Sequence, residues 1–434
     1  MKKKIFGILL ALTLVCALCV VAVSAAETDI DFSAGGTVNA TCQHCHAKVD
    51  WLPFTQAVSD TWGTDYNPAS GTHYYVAEEL VTVKAITVSS GEELCLHLNG
   101  NTVQRSGTNA RPFNIAGKMA IMDHAANEGV VVAYGKTDSS GCVIRLGSAK
   151  AEFDLYGGTM QMITSSTNTN FSAAKAGGTV YLAKNTVFTM HGGVLAGGKV
   201  TTGGANLYSD GGTAVLLGGT IEGGEATSYG GNVYSDGALT LGNCNITGGI
   251  AGSGGSDLYL GASGKLTVTK DFAGSVRMAL NAAHLPATLE GGVLSESLDS
   301  CEGAFPGKLL LESAGELYNV TGKNGDTKLY LSAFQVEDVD FSAGGNVIGW
   351  CQQCKTNVEW KPLTEAVSTA WGTNYSTASG THYYVAEDSV KMAGGCLSLA
   401  EKENLCLHLN GNTLYRSGPP CLQYQRRHPQ HHGP

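Results

Sequence analysis

Cys42-Gln-His-Cys45 holds two thiols three residues apart, a spacing at which one turn of chain can offer both to a single metal ion. The pattern returns at Cys351-Gln-Gln-Cys354, displaced by 309 residues. Other groups of the same chemistry return with it: His73 as His382, Cys95 as Cys406 and His97 as His408. A C-x-x-C knuckle completed from a distant strand is one way structural zinc is held, so zinc is the cofactor these residues suggest. The candidate metal ligands are Cys42, Cys45, Cys95 and His97 in the first copy, and Cys351, Cys354, Cys406 and His408 in the second. Two other fates suit the same thiols. Cys42 could bond to Cys45, or either of them to Cys95, in an oxidising compartment; or all three could stay free. Three cysteines per copy is an odd number, which pairing within one copy cannot exhaust.

His46 extends the first knuckle to C-x-x-C-H, the form that attaches c-type haem. The second copy has Lys355 there, so whatever both copies do does not need that imidazole. Asp210 and Asp236 stand in two Tyr-Ser-Asp-Gly turns 26 residues apart. Neighbouring carboxylates can hold calcium, or act as acid and base on a sugar. Ser-Asp-Gly is also ordinary turn chemistry, and a catalytic pair should interrupt a repeat rather than follow it, so the turn reading is preferred. Trp51, Trp62, Tyr66, Tyr74 and Tyr75 crowd the region of the knuckle, where they suit a small core better than a sugar-stacking face. Asn170-Phe-Ser fits the acceptor pattern for an N-glycan.

The elements that carry these groups have the pattern of short strands. Leu94, Leu96 and Leu98 alternate with Cys95 and His97, which puts the leucines on one face and the other two on the opposite face. Asn99-Gly100 follows as a turn. Downstream, glycine pairs recur with a tyrosine three or four residues later: Gly177-Gly178 with Tyr181, Gly203-Gly204 with Tyr208, Gly230-Gly231 with Tyr234, and Gly254-Gly255 with Tyr259. The tyrosines are 27, 26 and 25 residues apart, a period that suits one coil of several short strands stacked on the next. The glycines are expected at turns, and the tyrosines in a ladder along one side. Long helical periodicity is absent, and only 10 prolines interrupt the chain.

The 434 residues include 58 glycines, with 43% hydrophobic and 15% charged residues and a formal charge of -10. That is a folded composition, and its acidity argues against a nucleic-acid partner. Lys2 to Lys4, the apolar run from Ile5 to Val23 and the small residues around Ala25 form a secretory signal. The mature protein is therefore expected to be secreted, extracellular or at the cell surface. No later segment is long and apolar enough to span a membrane as a helix. Residues 29–76 reappear at 338–385, so the chain holds one unit of about 309 residues and the start of another. The second copy departs after Gly418. Residues 419–434 match nothing upstream, and a one-base slip can restore RRVYNINGVTLNIMD, so this tail is expected to be an out-of-frame reading. The expected order is a signal at 1–26, a cysteine and aromatic cap at 27–70, coils at 71–300, a closing segment at 301–336 and a truncated second copy at 337–418.

The stretches THYYVAEE, CLHLNGNTVQRSG and RPFNIAGKMAIMD resemble the opening coils of right-handed parallel β-helix surface proteins of bacteria. The usual form there is a YYL…D strand, then LDLNG-x-T, then F-x-V-x-G-x-L-x-I-x-D. The later GGTVYL, GGANLYS and GGNVYS are similar to the glycine-rich repeats of large bacterial adhesins. The likeness covers residues 70–290. It implies an all-β fold, a right-handed parallel β-helix of the pectin-lyase-like kind, here behind a cap that shields the open first coil. His97 and His408 stand where that family often has an acidic residue, so no ligand carries over. Such a fold does not fix an activity. The function expected is a non-catalytic repeat protein, an adhesin-like stalk or binding surface whose partner is a glycan or another host or cell-wall component. One alternative is a polysaccharide lyase or glycoside hydrolase, but no basic residue lies beside the acids between Lys199 and Lys265. The other is a zinc-binding module supported by the coils.

Overall fold

A computed structural model describes residues 30–105, 111–124, 128–134, 143–164, 173–294, 298–300, 304–334, 339–351, 356–371, 381–392 and 405–415. The signal at 1–26, Asn170, Cys354 and the tail at 419–434 lie outside the described residues. The chain divides into two compact units, residues 1–334 and 335–434. Among the described residues, no helix is long and apolar enough to cross a membrane.

The structure is mostly β and forms a parallel β-solenoid of about 12 turns, with one cysteine group near the start of the chain and another in the second unit. In the first unit, each complete coil gives one short strand to each of three stacked sheets. Sheet I starts at Val38–Thr41 and runs through His73–Val76, Glu93–His97 and Lys118–Met122 to Leu298–Ser300. Sheet II runs from Leu80–Val83 to Asn245–Thr247, and sheet III from Ile86–Val88 to Tyr330–Ala333. Side chains alternate inward and outward along each strand. The inward residues of all three sheets, such as Leu96 in sheet I, Val103 in sheet II and Phe113 in sheet III, therefore meet in one continuous core.

One glycine per coil makes the turn into sheet III, and it lies four residues before each tyrosine. Gly177, Gly204, Gly230 and Gly255 hold φ of 57°, 60°, 66° and 68°. A Cβ on Gly204 would come within 2.3 Å of the Leu207 carbonyl oxygen. The neighbouring position varies, being Gly178, Ala205, Gly231 and Ser256. The fixed element of the repeat is thus a single left-handed glycine rather than a pair.

Two residues after that glycine, Asn206, Asn232 and Asp257 are buried inside the coils. Their Oδ1 atoms accept the N–H of Gly198 at 2.9 Å, Gly224 at 2.8 Å and Gly249 at 3.1 Å. Asn206 Nδ2 also donates to Asn232 Oδ1 at 2.8 Å, tying one coil to the next. These bonds satisfy backbone donors that the glycine turns would otherwise strand away from water. Outside the same strands, Tyr181, Tyr208, Tyr234 and Tyr259 stand in register and form the expected ladder. Their ring centroids are 5.8, 4.7 and 5.6 Å apart and the rings are nearly parallel.

Both ends of the first unit turn antiparallel. Lys48–Phe54 is the first parallel rung of sheet I, and Val38–Thr41 covers its open edge. The short helix Gln56–Trp62 starts on Thr55, whose side chain accepts from the Val58 N–H. Its Trp62 joins Phe54, Tyr66 and Tyr74 at the start of the core. All five cap aromatics are buried, as a core role requires. At the other end, Lys308–Ser313 pairs antiparallel with Glu316–Thr321, and that with Tyr330–Ala333. The second unit rebuilds the cap: Val347–Cys351 is antiparallel to Thr356–Leu363, which leads in parallel to His382–Val385 and Cys406–His408.

Candidate metal centre

Leu94 and Leu96 face the solenoid core, while Cys95 and His97 face outward from sheet I, as the alternation predicts. The chain before the first rung folds back over this outer face. Phe32 stacks on Tyr75 at 4.2 Å and meets His97 edge-on at 4.9 Å. The Tyr75 hydroxyl donates to the Gly36 carbonyl at 2.9 Å. Phe32, Cys42, Trp51, Tyr75, Cys95 and Met122 form a second, smaller core outside the coils. The cap is therefore a lateral clamp as well as an end cover, and only the end cover was legible from sequence.

The knuckle hangs from this small core. Ligand atoms of Cys42, Cys45 and His73 lie within 4.8 Å of one another. Cys45 Sγ is 3.6 Å from His73 Nε2. The Cys95 thiol is in hydrogen-bonding contact with Cys42. In the second unit the counterparts Cys351, His382 and Cys406 converge within the same radius. In the first unit Cys95 falls in a neighbouring group with His44 and Glu93. Matching the two copies by sequence position gives three thiols and one imidazole. Cys42 and Cys95 are buried and Cys45 is exposed, and each of these is a free thiol.

Local electrostatics favour the anion at Cys42 and oppose it at Cys45 and Cys95. The backbone N–H groups of His44 and Cys45 donate to Cys42 Sγ, and that of Ala47 to Cys45 Sγ. His46 takes φ 55° in this turn, and its N–H donates to the Cys42 carbonyl at 2.8 Å. The Cys95 thiol proton, more than any other group, holds Cys42 well below the usual thiol range, although burial opposes it. Sharing that proton, together with burial, pushes Cys95 up. Burial also pushes Cys45 up. A bound dication would remove the remaining protons, because coordination favours the thiolate. His73 Nδ1 lies 2.9 Å from Thr72 Oγ1, and His382 Nδ1 the same distance from Thr381 Oγ1. Such a partner fixes the ring and leaves Nε2 for the thiols. Trp51 and Trp360 stand edge-on to these imidazoles at 5.2 and 5.3 Å.

His97 and His408 are not among the converging groups. His97 Nδ1 accepts the Asn99 N–H at 3.0 Å, and His408 Nδ1 the Asn410 N–H at 3.1 Å. Each ring shapes the Asn-Gly turn that follows its strand, where Asn99 and Asn410 hold φ of 54° and 53°. Burial, with His124 adding to it, pushes His97 down to about 3 and keeps it neutral. The imidazole of the set is instead His73 or His382, carried by the repeated Thr-His-Tyr-Tyr-Val.

Sequence reasoning missed the contacts around the knuckle. Gln43 Oε1 lies 3.0 Å from His124 Nε2. His44 lies 3.5 Å from Glu93 and 3.7 Å from Asp154. His191 lies 3.4 Å from Asp154 and stacks on Tyr156 at 4.3 Å. No period links these residues, and the second knuckle has Gln353 in place of His44, so the duplication did not flag them. The two turn aspartates are engaged by the tyrosine ladder. Tyr181 donates to Asp210 at 3.4 Å, and Tyr234 to Asp236 at 2.8 Å. Comparison with protein-family models, with curated proteins and with solved structures gave no match to this chain.

Proposed function

We propose that this chain is a non-catalytic, adhesin-like repeat scaffold, secreted or held at a cell surface. Each solenoid unit is clamped at its start by zinc on Cys42, Cys45, His73 and Cys95, or on Cys351, Cys354, His382 and Cys406. The observation that carries the reading is the 3.6 Å separation of Cys45 Sγ and His73 Nε2 within a duplicated ligand set. A zinc–sulfur bond of about 2.3 Å and a zinc–nitrogen bond of about 2.0–2.1 Å at the tetrahedral angle give a ligand-to-ligand edge of about 3.6 Å. A disulfide would account for two thiols and leave the third, and the oriented imidazole, without a role. Three sulfurs and one nitrogen make a closed structural site with no open position for a substrate.

The clamp joins the knuckle to two successive rungs of sheet I, through His73 and Cys95. Structural zinc contributes on the order of 10 kcal/mol to folding in small modules, enough to hold the cap over the outer face. Recurrence supports the scaffold half of the reading: the outward tyrosines of the middle coils repeat from coil to coil, which builds an extended face. The basic, apolar and small residues at the start of the chain support export. Metal analysis tests the clamp. Protein purified without added metal is expected to carry one zinc per cap, and the Cys42→Ser, Cys45→Ser double variant to lose that of the first cap alone. Unchanged zinc in the double variant contradicts the assignment. Glycan cleavage that disappears in an Asp210→Asn, Asp236→Asn variant contradicts the non-catalytic reading.

A further inference from the structure

One outward column of sheet III changes chemistry along its length. Thr87, Asn114, Arg145 and Tyr181 are register neighbours on successive coils. Their strand neighbours Ile86, Phe113, Ile144 and Val180 point into the core, so these four point out. From Tyr181 onward the column is the tyrosine stack. Before it lies a half-open cavity of about 280 Å³, lined among others by Thr87, Arg111, Asn114, Arg145 and Ser148. The Arg145 guanidinium carbon sits 5.4 Å from the Tyr181 ring centroid, and Tyr208 stacks on that same ring. An aromatic column thus fixes the guanidinium from one side. The buried Nε of Arg145 has no hydrogen-bond partner among the described residues. Arg145 takes part in none of their ion pairs, where the cations other than histidine are Lys118, Lys199 and Arg277. Arg111 Nη1 donates to Asn114 Oδ1 at 3.2 Å, which leaves the Asn114 amide nitrogen as a further donor.

We propose that this cavity binds a single oxyanion group, a sulfate, phosphate or carboxylate, carried by a small ligand. Two guanidinium groups, an amide and two hydroxyls converge there, and planar guanidinium forks match oxyanions through charge-assisted hydrogen bonds. The group is a single one because a chain of formal charge -10 repels an extended polyanion. Recognition rests on the anion and not on ring stacking, since the faces of Tyr181 are covered by Arg145 and Tyr208. The cavity lies on sheet III and the thiol set on sheet I, so either assignment stands or falls without the other.

Calorimetric titration of the full chain tests the site, with sodium sulfate, sodium phosphate and sodium acetate compared against sodium chloride at equal ionic strength. Saturable binding of at least one oxyanion over chloride is expected. Arg145→Gln and Arg111→Gln should each weaken it at least tenfold, with far-ultraviolet circular dichroism unchanged, and Lys199→Gln should bind as the parent does. Glucose 6-sulfate binding tighter than inorganic sulfate assigns the group to a sugar, and equal affinity assigns it to the free anion. No oxyanion binding beyond that of chloride, or parental affinity in both arginine variants, overturns the proposal.

Discussion

Replacing Asp257 by asparagine is expected to remove a pH-dependent instability from the late coils. Asp257 is 4% exposed and takes the ladder place that Asn206 and Asn232 hold in the two coils before it. It accepts the N–H of Gly249 and of Arg277, both at 3.1 Å. Arg277 Nε lies 3.7 Å from Asp257 and 3.8 Å from Glu312. Burial outweighs the Arg277 charge and these hydrogen bonds, and with Glu312 it lifts the carboxyl from 3.8 to about 6. Below the lower value the folded and unfolded chains are both protonated, and the group has no effect. Between the two values the unfolded chain ionises while the folded one keeps its proton, so stability falls as pH rises and stays lower above the upper value. At about 1.4 kcal/mol per pKa unit, a rise of about two is worth on the order of 3 kcal/mol. The asparagine side chain does not ionise. It leaves the Arg277 N–H without its acceptor, a penalty of about 1–3 kcal/mol that does not vary with pH. Urea unfolding of both proteins from about pH 4 to about pH 8 isolates the effect, because other titrating groups cancel in the difference. The difference should move in favour of the variant by about 2 to 3 kcal/mol across that range. A difference flat in pH refutes the reasoning, and movement the other way would mean that Arg277 outweighs burial.

Gly204→Ala should cost about 2 kcal/mol or more in thermal or urea unfolding, because its Cβ meets the Leu207 carbonyl at 2.3 Å. Gly223→Ala, at φ 63° with nothing within 4 Å, should cost only the left-handed backbone term of about 1 kcal/mol. Tyr208→Ala removes two stacked contacts and should lose about 1–3 kcal/mol; a loss no greater than at an exposed position outside the stack would show that the ladder is not stabilising. His73→Ala should abolish zinc retention by the first cap, whereas His97→Asn should retain it, as metal analysis of the two purified variants will show. Chelation under reducing conditions should expose Trp51 and shift tryptophan emission to the red, while the far-ultraviolet signal of the coils persists.

The coils were legible because a solenoid writes its geometry into sequence at a fixed period. Leu94, Leu96 and Leu98 announced which face is inward, and four evenly spaced tyrosines announced the stack. The glycine register was legible only in part: both members of each pair look alike in sequence, and the positive φ that distinguishes Gly204 from Gly203 is a property of the turn. The duplication pointed to the thiols and to both His73 and His97, without choosing between the two imidazoles. His97 shares a strand and a face with Cys95, which made it the obvious partner. His73 reaches the thiols from the rung before, opposite Cys95 in register, a relation that exists only once the coils are stacked. The outer-face contacts of His44 with Glu93 and Asp154 were invisible for the same reason. Arg145 gave no signal at all, since its significance lies in an Nε with no hydrogen-bond partner among the described residues and in Tyr181 on the next coil.

The zinc clamp is tested most directly by the intact mass of the full chain under native, non-reducing conditions. A zinc clamp adds the mass of one zinc ion per cap, released by acid to leave all the cap thiols reduced. A metal-free mass, short by two hydrogens for each bond joining Cys42, Cys45 or Cys95, would contradict it and make the cap a disulfide module.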